Sequence, residues 1–115
     1  MDEDCFQFCQ EKSLRLNRMH RLSGHISAWE SRCRDDSMFG GAIIAPDDSS
    51  GIEEGRDIIG AFSGINEHSE EAILAVIWMA FRWITLEDAR RIMAISGNTL
   101  FEPLLIACAD IVMIN

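Results

Sequence analysis

The first third of the chain carries apolar residues at helical spacing. Leu16, Met19, Leu22, Ile26, Trp29 and Cys33 recur at steps of three or four, which puts them on one face of a helix. Residues 3 to 34 hold no Pro and one Gly, Gly24, and are rich in Leu, Arg, Gln, Glu and Met, all good helix formers. The pattern predicts one long helix with its weak point at Ser23-Gly24. At 1.5 Å per residue it would run about 45 Å, longer than a compact domain of this size is wide, so it must break or project toward a partner.

Asp35 to Gly51, DDSMFGGAIIAPDDSSG, reads as a linker of turn-forming residues. Within it, Ala42 to Ala45 could be extended, but a lone strand has no pairing partner. Ser49 or Ser50 could cap a short helix reaching about Phe62, with Glu53 and Glu54 in its first turn and Gly55 and Gly60 weakening it. Beyond Ser63-Gly64 the signals sharpen. Asn66 or Ser69 caps a helix that opens on Glu70 and Glu71 and runs through AILAVIWMAFRWI. Thr85 and Asp88 stand at the cap and third position of the next helix, which Gly97 ends. A last helix starts around Glu102-Pro103 and continues through LLIACADIVMI. The expectation is an all-α domain over residues 1–115. Residues 1–35 form the long helix, 36–51 the linker loop, and 52–115 a small bundle of about four shorter helices. No internal repeat or low-complexity tract is present.

Two helices are apolar beyond what one face needs. Ala72 to Phe81 is apolar on every side, and Leu104 to Ala109 with Ile111 to Ile114 is nearly so, Asp110 being the exception. A helix apolar all round must be buried all round, and 115 residues have room for about one at the centre. The surplus points to an interface with a second copy or another protein, and a homodimer is expected. Trp29, Phe39, Phe62, Trp78, Phe81 and Trp83 are the aromatics suited to anchor contacts.

Charge changes the picture next. The chain has 10 Lys+Arg against 19 Asp+Glu, a net of −9. Residues 1–36 hold six basic and seven acidic residues and residues 37–115 four and twelve, so −8 of the −9 follows residue 36. Such a surplus argues against a free-standing nucleic-acid binder. It suits a solvated surface, or steering toward a basic partner, with Glu70 and Glu71 in one candidate cluster. The N-terminus MDEDCFQFCQ carries three acids where a secretion signal needs a basic start and an apolar run, so a reducing, cytoplasmic setting is expected. The apolar run from Ala72 to Ile84 is too short to span a bilayer.

Chemical motifs are sparse. Cys5-x3-Cys9-x10-His20-x4-His25, with Cys33 nearby, resembles a Cys2His2 zinc pattern, but on an unbroken helix the two pairs cannot meet at one ion. These residues are read as small core residues and polar-face residues, with no metal and no cofactor. His68 between Glu67 and Glu70 fits charge placement at a helix start as well as acid–base work. Cys108 lies on an apolar helix, as an inert thiol would. No nucleophile elbow, phosphate loop or dinucleotide fingerprint occurs, and no catalytic residue is assigned.

The segment ITLEDARRIMAISGNTLFEPLLIACADI resembles the helical lead-in of radical SAM enzymes such as biotin synthase, but the Cys-x3-Cys-x2-Cys of that family is missing. In size, acidity, helical make-up and apolar surplus the whole chain resembles quorum-sensing antiactivators of LuxR-type regulators, and also phage-encoded anti-CRISPR proteins. No defined motif carries that likeness, so no functional residue transfers. It implies a non-enzymatic inhibitor that binds a DNA-binding regulator, or another nucleic-acid-binding complex, and blocks dimerisation or DNA binding. An acidic secretion chaperone or adaptor is the alternative.

Overall fold

A computed structural model describes residues 3–45 and 58–109 of the chain. Helix α1 spans Glu3–Ser23 and stops where the sequence weakens. Gly24 takes φ +72°, and its N–H donates to the His20 carbonyl at 2.9 Å, a left-handed stop that a glycine adopts freely. The expected helix through residue 34 is thereby corrected. Its 21 residues give a rod of about 31 Å, which fits within the 40 Å long axis of the molecule. After the break the chain forms two short 3₁₀ turns, Ala28–Ser31 and Arg34–Asp36.

Extended chain follows. Strand β1, Ala42–Ala45, pairs antiparallel with β2, Ile58–Ala61, in the register Ala42 to Ala61 through Ala45 to Ile58. Phe62 N–H donating to the Gly41 carbonyl at 3.0 Å adds a further rung. The all-α expectation holds in outline, since four helices make up most of the described residues, but this small two-stranded sheet was not expected. Residues 58–61, assigned by sequence to the end of a helix, supply the strand that Ala42–Ala45 was thought to lack. The remainder of that expected helix, 50–57, lies outside the described residues. The strand lies so close to Trp78 that Gly60 is required: a Cβ there would stand 2.2 Å from Trp78 Cη2, so only a bare backbone fits under that indole.

The C-terminal helices start where their sequence signals place them, but the first stops at Ala80 instead of running on through Ile84, and the last stops at Ala107. Helix α2 spans Glu67–Ala80, with Asn66 Oδ1 accepting from Ser69 N–H at 2.8 Å. Helix α3, Leu86–Ser96, starts at a reciprocal Thr85–Asp88 capping box and ends at Gly97 with φ +64°. Helix α4 covers Phe101–Ala107 with Pro103 in its first turn; residues 110–115 lie outside the described residues.

The two strands form a middle layer. β1 is buried along its whole length, and its alternation sends residues to two different cores. Ile43 and Ala45 join the larger core, built on α2, α3 and α4 by residues including Leu74, Trp78, Ile92, Met93 and Phe101. Ala42 and Ile44 join a smaller one with Leu16 of α1 and Ala28. Helix α1 and the three C-terminal helices thus flank the hairpin, and no helix among the described residues is long and apolar enough to cross a membrane.

Candidate functional site

Helix α2 divides into two chemically distinct halves. Its first turn carries Glu67 and Glu70, as its dipole prefers, and Glu71 follows directly. Glu70 and Glu71 are nevertheless buried, at 3% and 0% exposure, which corrects their assignment to a partner-steering surface. Each is held by donors from distant parts of the chain. Glu70 Oε1 accepts from Lys12 Nζ of α1 at 3.2 Å, while Oε2 accepts from Gly64 and Ile65 N–H at 3.0 and 3.2 Å. Lys12 is itself 1% exposed and also donates to the Gly40 and Phe62 carbonyls at 3.0 and 2.7 Å. Its three N–H donors therefore all have acceptors. Gly41, at φ +102°, leaves room for this arrangement, since a Cβ there would stand 2.5 Å from Glu70 Oε1.

Among the described residues, no cation bonds directly to Glu71. Ser27 Oγ donates to Oε2 at 2.6 Å, and Ser96 Oγ and Asn98 Nδ2 donate to Oε1 at 2.5 and 3.3 Å. Burial pushes its carboxyl above the ordinary range, while these three hydrogen bonds and the nearby His68 pull it back. The carboxylate joins the 3₁₀ segment after α1 to the end of α3. Arg15 of α1, 3% exposed, makes a parallel set of bonds to Ser31 Oγ at 2.8 Å, to the Ala28 carbonyl at 3.3 Å, to the Phe39 carbonyl and to Glu11. A cleft of about 520 Å³ opens beside this polar clamp, lined by Phe8, Phe39, Asn66 and Glu67 among others. Since Lys12 and Glu70 on its wall are already saturated with partners, their chemistry there is structural.

The second half of α2 is apolar. Ile73, Val76, Ile77 and Ala80 form one wall of a groove of about 300 Å³, and Leu104 and Cys108 form the other. Its walls are wholly apolar. Ile77 is 39% exposed, and Phe81, one turn further on the same side, is 62% exposed. Phe81 stacks on Trp83 at 4.9 Å and 18°, and Trp83 stands edge-on to Trp78 at 5.3 Å. Arg82 between them is exposed with φ +62°, a backbone setting uncommon for a non-glycine residue.

The aromatics proposed as anchors separate accordingly. Phe81 and Phe62 are exposed, and Trp83 is half-buried beside the groove end. Trp78 is a core residue at 7% exposure, which corrects its place among contact residues. Trp29 is half-buried under the Arg32 guanidinium, 3.7 Å from its ring centre, with the His68 ring at 4.7 Å. Phe39 packs edge-to-face on Phe8 at 5.4 Å. Both are occupied within the fold. Sequence reading missed Lys12 and Arg15 as buried cations, because their partners lie far along the chain and nothing local distinguishes them from Arg18 and Arg21.

Among the described residues, no three His, Cys, Asp or Glu side chains gather as a metal site would require. Cys9 and His20 lie on the unbroken α1, eleven residues and about 16 Å apart along its axis; the Cys5 side chain is outside the described residues. No protein-family model matches the chain, and comparison with curated proteins and with solved structures finds no significant match.

Proposed function

We propose that this chain acts by stoichiometric binding to a protein partner, and that it inhibits a regulator whose dimerisation or DNA binding it blocks. One observation carries the reading: the apolar groove between α2 and α4 continues into exposed Ile77 and Phe81. Apolar walls running on into exposed large side chains mark interaction sites more often than idle surface. The polar half of α2, by contrast, is consumed in holding the fold.

The choice of a nucleic-acid-binding regulator follows from charge. A chain of net −9 complements the basic surface such a protein presents to DNA, and it associates fastest with a partner of opposite sign. Two copies of the chain would instead bring like charges together, so a heterologous partner is favoured over the homodimer.

Affinity capture from the native cell, followed by reconstitution with the captured protein, tests this. The expected result is a 1:1 complex with a DNA-binding regulator that loses operator binding as the chain is titrated in. Recovery of secreted cargo would turn the reading toward a chaperone. A regulator that binds DNA equally well in the complex would overturn the inhibitory role.

A further inference from the structure

We infer that α1 is a hinged cover. It leaves its seat as one unit, turning about Gly24, and bares the outer face of the β1–β2 hairpin while the core of α2, α3 and α4 stays folded. The hinge is located by what lies on each side of it. Beyond Gly24 the chain is tied down at once, since Ile44 N–H donates to the Ile26 carbonyl at 3.2 Å and Ser27 Oγ donates to Glu71 Oε2 at 2.6 Å. Gly24 itself is exposed at φ +72°, and a Cβ there would meet nothing within 4 Å. The chain can therefore pivot at that residue without displacing a neighbour.

The seat of α1 is held differently from the larger core. Among the described residues the larger core has twelve buried apolar side chains and the smaller has four, of which α1 supplies Leu16 alone. Buried apolar surface is what makes a unit costly to open, so the larger core outlasts the smaller. What α1 adds beyond Leu16 is largely polar. Lys12 and Arg15, 1% and 3% exposed, donate to the Gly40, Phe62, Ala28 and Phe39 carbonyls. When α1 leaves, both cations and Glu70 regain water, and that hydration offsets much of what their bonds contributed. The outward side of α1 loses nothing, for Leu14 and Leu22 are already 69% and 74% exposed. The face uncovered is an apolar strip, Ala42 and Ile44 of β1 beside Ile59 and Ala61 of β2, edged by those carbonyls and the Glu70 carboxylate. This hinge stands whether or not a regulator binds the groove between α2 and α4.

Native-state hydrogen exchange of the intact chain, read amide by amide by NMR, tests the hinge. An undocked helix of 21 residues is marginal in water, so the α1 amides exchange whenever it leaves its seat. Amides from Lys12 to Met19 should share one opening, populated at least about tenfold more than the opening that frees the slowest amides of α2 and α3. Ile92→Val thins the larger core alone. It should speed the slowest α2 and α3 amides about two- to twelvefold and leave those of α1 unchanged. Urea gives a reading that needs no variant: the α1 opening exposes less surface, so its exchange should rise less steeply with urea. Exchange of α1 in step with α2 and α3, in either the variant or urea, would overturn the inference. So would α1 amides that open one by one with no dependence on urea, because that is fraying of a helix still in its seat.

Discussion

Lys12 and Glu70 form an ion pair at 3.2 Å in which neither side chain is more than 4% exposed. Such a pair gains little over a well-packed apolar substitute, but removing one member leaves the other buried and uncompensated. Lys12→Met should therefore cost about 3–5 kcal/mol, read from urea unfolding. Adding Glu70→Gln to it should recover part of that loss. A Lys12→Met chain as stable as the original would show that Glu70 had found water.

Glu71 makes stability depend on pH in an unusual direction. Its carboxyl lies above the ordinary 4.5, chiefly through burial. A folded-state value above the unfolded one means that the group's contribution is complete below the unfolded value and is lost as pH rises through the folded value. Glu71→Gln keeps an acceptor for the surrounding donors and removes the charge. The stability difference should move in favour of Glu71→Gln between about pH 4 and about pH 7. Unfolding curves for the two chains at both ends of that range decide it, and a constant difference would contradict the raised value.

Two glycines should fail for different reasons. Gly60→Ala places a methyl 2.2 Å from the Trp78 ring, so it should cost about 1–3 kcal/mol through overpacking and shift the tryptophan emission. Gly24→Ala meets nothing within 4 Å but holds φ +72°. It should cost about 1–2 kcal/mol with no change in emission.

Phe81 is mostly exposed, so Phe81→Ser should change folding stability by less than about 0.5 kcal/mol. Binding of an apolar dye should fall clearly in the same variant. Undiminished dye binding would move the exposed apolar surface elsewhere, for instance to Ile106, which is 75% exposed on α4.

The legible parts of the fold were those written in local sequence. The Thr85–Asp88 box and Gly97 bound α3 within eleven residues, and the Gly24 stop was visible as a weakness. The hairpin was not legible, because Ile58–Ala61 becomes a strand through Ala42–Ala45 and the Trp78 ring, both distant in sequence. The polar clamp was hidden for the same reason. Glu70 and Glu71 look like ordinary first-turn acids until Lys12 and Ser27, 58 and 44 residues away, are brought to them. The apolar surplus of α2 was plain from its composition, but the division into a core side with Trp78 and an open side with Ile77 required the neighbours.

The Lys12–Glu70 bond also sets an order of assembly during synthesis. Helix α1 is made before the anion that Lys12 needs, which follows 58 residues later. At about 5–20 residues per second, the first helix waits several seconds before its buried cation can be neutralised. Until then Lys12 gains more from water than from a core, and the strand residues that Leu16 packs with are not yet made. Helix α1 is thus translated ahead of the anion that neutralises its buried cation, and a nascent chain cut before Glu70 should leave α1 open to protease.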